Sequence, residues 1–414
     1  MIPKAGKDLK EAKNWRPISL SSCVSKLFEC SIKERLEMEK RKRQIAENIH
    51  QAAYKKGRST QEHILRLAED VNHAFAKQEC VIAVFLDVSG AFDRVWISGL
   101  MWKLLMMRLP LNLLCVIKGF LTSRSLRVKV EKIISDNVNM AAGTPQGAVL
   151  SPTLFNIFVD DLKKILGVDE NINLAQYADD VALWISDACP RRAEARMNKV
   201  LQRLAKWTCD WRIKLAPEKS VFIFFSRRPT HQRMTVRIEL LGEALQKVQS
   251  HRFLGVRFDE KLTWKRHVDE MIGSAIPRIS ALKSISAKST WSHPERVIKL
   301  HDAVVNSIWK YGSVAYVSMN ACLWDKLKKI HSRCVKFYCG VPSYTSYDTL
   351  CHHTGIKSIR EELTAFAKKR VTAIIQFSPF GKKITDERRD NASGIYKSVT
   401  ECIFSDSEIA AMRS

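Results

Sequence analysis

Residues 174–184 read LAQYADDVALW. Two aspartates, Asp179 and Asp180, interrupt a run that is otherwise almost wholly apolar. Side chains on a regular strand alternate between faces, so adjacent aspartates cannot both leave the core from one straight strand. A turn at the pair resolves the conflict, because aspartate tolerates turn conformations. The segment therefore predicts a hairpin of two buried strands with carboxylates at its tip. Taken alone, the same pattern also describes an ordinary surface turn.

A second stretch, VIAVFLDVSGAFDRVW at 81–96, shifts that balance. VIAVFL is a short β-branched run bounded by polar sequence, which predicts a buried strand over 81–86. Asp87 stands where that strand leaves the core. Clustered carboxylates repel one another, and an unpaired buried one is costly. A divalent cation removes both penalties. Asp87, Asp179 and Asp180 together make an oxygen-only donor set suited to Mg²⁺. Two such ions roughly 4 Å apart drive in-line phosphoryl transfer, one lowering the pKa of an attacking hydroxyl, the other stabilising a leaving pyrophosphate.

Composition points the same way. The 414 residues carry 68 Lys and Arg against 43 Asp and Glu, a net charge of +25. That imbalance favours a polyanionic partner, nucleic acid before anionic membrane. Hydrophobic residues at 46 % supply a sizeable core and exclude a disordered chain. The length suggests two or three domains. No apolar run reaches the roughly 18 residues needed to span a bilayer. MIPKAGKDLK has no apolar signal core, so a membrane is not an expected partner. Eleven scattered cysteines, an odd number, fit reduced thiols. His331, Cys334, Cys339, Cys351, His352 and His353 come nearest to a zinc cluster, but their spacings match no standard finger.

Hydrophobic periodicity predicts helices over 26–50, 61–78 and 191–212, a hairpin over 126–140, a strand over 220–226, and mostly helix from about 265. Ser151 and Pro152 suit the N-cap and first turn of a helix that places Leu154, Phe158, Leu162 and Ile165 on one face. The order is mixed, with no regular βαβ alternation, so the expected class is α+β.

FLDVSGAFDRVW (85–96), GTPQGAVLSPTLFNIFVDDL (143–162) and YADD (177–180), in that order, resemble reverse transcriptases. The flavour is that of non-LTR (LINE-type) retrotransposons, jockey-like insect elements most closely. NWRPISLSSCVSKLFE (14–29), QAAYKKGRST (51–60), KLAPEKS (214–220), FLGVRFDEKLTWKRHV (253–268) and YGSVAY (311–316) resemble further blocks, so the similarity runs to about residue 370. It implies a right-hand polymerase. Partial fingers would occupy 1–80. The palm would occupy 81–230, with the remaining fingers insertions at about 97–140. The primer grip and thumb would take 231–340, and a helical C-terminal region 341–414.

The resemblance also implies roles. Asp87, Asp179 and Asp180 match the metal-binding and catalytic carboxylates. Phe92, five residues after Asp87, matches the steric gate, where a bulky ring crowds a ribose 2′-OH. Asp93 belongs to the same block, with a structural hydrogen bond expected of it. Gln146 would contact the incoming nucleotide or the template, with Gly143 and Gly147 permitting close backbone approach. Arg16 and Arg58 match fingers arginines that would grip a triphosphate. Lys219 matches a general acid for the leaving pyrophosphate, and Phe253, Leu254 and Gly255 match the primer grip. Trp264, Lys265, Arg266, Trp309, Lys310, Trp324 and Lys326 would supply phosphate contacts and stacking to a template–primer duplex. Three departures stand out: Thr144 and Ala148 where relatives often have Val and Ser, and Ala216 where they usually have Asn.

The implied activity is RNA-directed DNA polymerisation, extending a primer 3′-OH with dNTPs on an RNA template, with two Mg²⁺ ions or Mn²⁺ in their place. Intact elements place an endonuclease before the polymerase, whereas this chain opens at IPKAGKD, inside the fingers. It therefore resembles a fragment, its endonuclease expected in a missing N-terminal part or supplied in trans. The expected location is the nucleus at the insertion site, after cytoplasmic synthesis and RNA assembly. Two alternatives stand beside this: a catalytically inactive nucleic-acid-binding remnant, and another template-directed polymerase such as an RNA-dependent RNA polymerase, against which Phe92 argues.

Overall fold

The computed structural model describes residues 2–3, 8, 10–11, 14–122, 124–130, 133–166, 172–288, 294–381, 404 and 408. Its centre is a sheet built from β1 (Cys80–Leu86), β2 (Ile172–Tyr177), β3 (Asp180–Asp187), β4 (Val221–Phe225) and β5 (Gln246–Lys247). The spatial order is β5–β4–β1–β3–β2. All pairings are antiparallel except β4 with β5. β1 lies in the middle and is buried at all seven positions, as its unbroken apolar run requires.

Alternation along the strands divides the core in two. Val81, Ala83, Phe85, Trp184, Ile223 and Phe225 face helix Thr60–Ala76 and, beyond it, the C-terminal helices. Ile82, Val84, Leu183, Phe222 and Phe224 face Met197, Val200, Leu201 and Leu204 of helix Pro190–Asp210. A third cluster gathers Leu36, Leu100, Leu104, Leu113, Ile117, Leu154 and Phe158 from helices Cys23–Lys42, Ile97–Met106, Leu111–Leu121 and Ser151–Phe158. Among the described residues after 264 the structure is helices joined by turns, with Lys265–Lys288, Ala321–Tyr338 and Ile359–Phe377 the longest elements. Among the described residues, no helix is long and apolar enough to cross a membrane.

Some local expectations change in the folded chain. The helix expected over 26–50 runs from Cys23 to Lys42. Lys40, Arg41 and Lys42 complete its last turn, where cations complement the terminal carbonyls, and Gln44 then turns left-handed at φ 51°. The expected face of Leu154, Phe158, Leu162 and Ile165 splits. The α-helix ends at Phe158 and Asp160–Leu166 tightens to a 3₁₀-helix. Leu154 and Phe158 then pack in the third cluster and Leu162 against the sheet; the Ile165 side chain lies outside the described residues. Ser151 starts the helix but is not its cap. The buried Glu29 carboxylate accepts from the N–H groups of Val149 and Leu150, the two residues that lead into the helix, at 2.6 and 3.1 Å, so an acid from a remote helix fixes its approach.

The hairpin at 126–140 is present, with ladders Arg124–Leu126/Val138–Met140 and Lys129–Val130/Ile133–Ile134; its turn, 131–132, lies outside the described residues. Trp264, Trp309 and Trp324 are buried. They pack the C-terminal core and offer no stacking surface to a duplex. Lys310 is paired with Asp302 and Glu362, and Lys326 with Asp269, while Lys265 and Arg266 stay exposed.

Candidate active site

Leu86 pairs with Val181 across β1 and β3, so one further step brings Asp87 opposite Asp180. Tyr177 pairs with Asp180 across β2 and β3, leaving Ala178 and Asp179 as a two-residue turn. Ala178 adopts φ 56°, which a tight hairpin needs at its first turn position. Three carboxylates thus meet at one end of the central strands, all exposed. Desolvation by the surrounding core, then the like charges of Asp179 and Asp87, push the Asp180 carboxyl up to about 6. Among the described residues, no three His, Cys, Asp or Glu side chains are already close enough to enclose an ion. The donor set fits a hard divalent cation all the same: every donor is a carboxylate oxygen, and the mutual repulsion that raises Asp180 is what such a cation relieves.

Each aspartate is placed by its neighbours. The Asp87 N–H donates to the Ser220 hydroxyl at 3.1 Å, and Ser220 in turn donates to the Ala216 carbonyl at 2.8 Å. The Ala216 N–H donates to the Asp87 carbonyl at 3.0 Å, and the Ser89 N–H to the Lys214 carbonyl at 2.9 Å. KLAPEKS therefore clamps the backbone of Asp87 from both sides. Ala216 stands where the resemblance implies Asn, but its backbone and buried Ser220 hold the loop. Lys219 is exposed, one residue before Ser220.

The hairpin turn has its own brace. Gln51 is buried, and its side-chain carbonyl accepts from the Ala53 and Ala178 N–H groups at 2.9 and 3.1 Å. Residues 50–52 run beside Gln176, with backbone hydrogen bonds in both directions. Tyr54 follows at φ 62°, half exposed. Its hydroxyl pKa is raised by burial and by the charges of Asp179 and Tyr177, which places it beside the Ala178–Asp179 turn.

Phe92 stacks on Phe155 at 4.5 Å between ring centroids, and Tyr54 meets its edge at 6.3 Å. The ring is half-buried and held on two sides. Gln146 donates to both Asp93 carboxylate oxygens at 3.0 Å, which supplies the structural bond expected of Asp93. Gly143, at φ 83°, lies so close to Asp93 that a Cβ would sit 2.6 Å from its carbonyl oxygen. Here only glycine fits, and the GTPQG turn is pinned to the segment after Asp87.

Arg58 does not point free. Its guanidinium forms a two-toothed pair with Glu62 at 2.5 and 2.6 Å and also donates to the Ile49 carbonyl at 2.8 Å. Both side chains are almost fully buried, at 6 % and 2 % exposure. The Arg16 backbone pairs with Ile2, and its side chain lies outside the described residues. Leu254 and Gly255, at φ 45° and 84°, form the two-residue turn between strands Ser250–Phe253 and Val256–Asp259. Phe253 is buried against Phe85 of β1 at 5.3 Å.

Gln51, Tyr54, Glu29 and Ser220 escaped sequence reasoning as supports of the site. All four lie inside blocks that carry the family resemblance, but nothing local marks their side chains within those blocks.

Three carboxylates at one end of a mostly antiparallel sheet, backed by helices, form a donor set suited to metal-dependent phosphoryl transfer. Residues 2–258 match the reverse transcriptase (RNA-dependent DNA polymerase) family, and the chain belongs to it. That family uses divalent metal ions. The chain is 31% identical over 370 residues to the probable RNA-directed DNA polymerase from transposon BS of Drosophila melanogaster, covering 88% of this chain. It is 25% identical over 373 residues to the polymerase of the mobile element jockey from the same species, covering 89% of this chain. The chain spans 40% of the length of each of these relatives. A solved telomerase from Candida albicans, in complex with a fragment of telomeric RNA, aligns with 89% of this chain and 60% of its own at 12% identity and a TM-score of 0.41.

Proposed function

We propose that this chain is the polymerase part of a non-LTR retrotransposon protein, extending a DNA primer with dNTPs on an RNA template. The observation that supports this best is the meeting of Asp87, Asp179 and Asp180 at one sheet end, with the Asp180 carboxyl raised by desolvation and then by its two charged neighbours. Two bound Mg²⁺ ions, or Mn²⁺ in their place, would supply activation of the primer hydroxyl and charge neutralisation at the pyrophosphate. The three aspartates would hold them. Phe92, fixed between Phe155 and Tyr54, would exclude a 2′-OH. Gln146, oriented by Asp93, would meet the nucleotide or template. Exposed Lys219 would deliver a proton to the leaving group, and the Leu254–Gly255 turn would hold the primer. Arg58, occupied by Glu62, would shape the fingers rather than grip the triphosphate; Arg16 keeps that role.

In this proposal strands β1–β4 and helix Ser151–Phe158 belong to the palm, helices Cys23–Lys42, Ile97–Met106 and Leu111–Leu121 to the fingers, and residues from 231 onward to the primer grip, thumb and C-terminal region. A cleft of 720 Å³ whose lining includes Lys33, Arg41, Lys56, Lys164 and Tyr54, with Glu37, Glu47, Asp160 and Asp161 among them, lies beside the site and would take a nucleic-acid phosphate backbone along its cations. The endonuclease that nicks the target would come from the longer parent protein or in trans, and the site of action would be the nucleus after cytoplasmic assembly with RNA.

The test is primer extension on poly-rA with oligo-dT, Mg²⁺ and dTTP, comparing the chain with Asp179→Ala. Extension lost in the variant supports the proposal. A folded parent that binds the duplex in the absence of Mg²⁺ yet never extends it would overturn it in favour of a binding remnant.

A further inference from the structure

The strands Ser250–Phe253 and Val256–Asp259 form a ladder of their own, outside the five-stranded sheet. His251 and Phe253 of this hairpin pack against Phe85, two residues before Asp87, and the Leu254–Gly255 turn just beyond Phe253 has a further support from elsewhere. That support is Tyr311. Its hydroxyl donates to the Leu254 carbonyl at 2.6 Å. It has one proton to give, so the Thr60 hydroxyl, 3.0 Å away, donates to it in turn. Three segments far apart in sequence, GRST, FLGV and YGSVAY, converge on one oxygen.

The backbones are shaped for this joint. A Cβ on Gly255 would lie 2.8 Å from the Tyr311 ring, and one on Gly312 would lie 2.3 Å from a Val256 methyl. Both glycines are left-handed, at φ 84° and 73°. Residues 311–312 therefore lie flat on 255–256 only because neither glycine carries a side chain. The joint also faces the catalytic end of the sheet. Burial, then the charges of Tyr177 and Asp180, raise the Tyr311 hydroxyl pKa, while its bond with Thr60 opposes that rise. Tyr311 remains 38% exposed, so it sits at the surface and not within the core.

We propose that Tyr311 is a positioning residue, fixing the Leu254–Gly255 turn relative to Asp180 so that the primer 3′ end meets the catalytic carboxylates. It acts through the turn and through Thr60, with no contact to the reacting atoms required. The proposal rests on the polymerase activity proposed above. A hydroxyl that sets the primer end should show itself in turnover and not in nucleotide affinity, because misplacement by a fraction of an ångström affects the reacting geometry first.

Tyr311→Phe tests it, since the ring still fills the space over Gly255. The expected result is a fall in kcat on the order of ten-fold, with the KM for dTTP and the duplex Kd each within roughly two-fold. Thr60→Val should cost less alone and nothing further in the Tyr311→Phe background, because it acts only through that hydroxyl. A primer ending in 4-thiothymidine supplies a readout independent of turnover. Irradiation should crosslink it to residues 250–256 in the parent, with the yield falling at least about five-fold in Tyr311→Phe at saturating duplex. Unchanged kcat and crosslink yield in a folded variant would overturn the proposal. So would fully additive effects of the two substitutions. If the parent itself extends no primer, the polymerase proposal falls, and the crosslink then decides the role of Tyr311 on its own.

Discussion

Replacing Asp180 with Asn should stabilise the metal-free protein at neutral pH, and Mg²⁺ should reverse the advantage. The Asp180 carboxyl moves from an ordinary 3.8 to about 6 on folding. At ~1.4 kcal/mol per unit, full coupling would cost the folded state about 3 kcal/mol once the group is ionised. Asp180 is exposed, so solvent screening leaves on the order of 1 kcal/mol. The sign follows from proton linkage. A group raised on folding contributes stability that is complete below its unfolded pKa and lost as pH rises through its folded pKa. The parent should therefore weaken between about pH 4 and pH 7 relative to Asp180→Asn. In a chain of this length ~1 kcal/mol moves the melting midpoint by only about 1 °C, so urea titration is the better assay. With EDTA, the variant should exceed the parent by about 1 kcal/mol at pH 7.5 and by little at pH 4. With Mg²⁺ at ten times its Kd, the parent should gain about 1.4 kcal/mol that the variant largely lacks. Equal stability of the two proteins at both pH values, together with equal stabilisation by Mg²⁺, would refute the clustering of the three carboxylates.

Glu62→Gln should strand the buried Arg58 charge and destabilise by about 3 kcal/mol, whereas Arg58→Met with Glu62→Gln should recover most of it; a double variant no more stable than the single one in urea counts against the buried pair. Gly143→Ala should lose about 1–3 kcal/mol from the Asp93 clash and left-handed strain. Gly119→Ala and Gly273→Ala, each within a helix with open space for a methyl, should gain about 0.5–1 kcal/mol, so the same chemical change with opposite sign in parallel melts checks the geometry. Ser220→Ala leaves the Asp87 N–H unpaired and should cost about 1–2 kcal/mol while lowering kcat with little change in the KM for dNTP; unaltered turnover would mean the Asp87 backbone needs no clamp.

Local patterns carried much of this fold. Runs of strand length at 81–86, 174–177, 181–185 and 221–225 became strands of the sheet, because a β-branched or aromatic run too short for a helix is stabilised by pairing and burial in a sheet. The hairpin at Asp179 followed from alternation alone, and strand-end Asp87 made the carboxylate cluster legible in the sequence itself. What those patterns could not convey was partnership across the chain. Gln51 braces Ala178 from 127 residues away, Ser220 holds Asp87 from 133, Glu29 holds Val149 from 120, and Tyr311 holds Leu254 from 57. A polar side chain has the same local signature whether it faces water or a distant amide. The choice is made only when packing brings an otherwise unsatisfied backbone group within reach. Arg58 shows the converse: its neighbourhood suggests a free cation for phosphate, and folding surrounds it with Glu62 and the Ile49 carbonyl. Period and composition select the face a residue occupies, while the hydrogen-bond partner it finds there depends on which remote segments share that face.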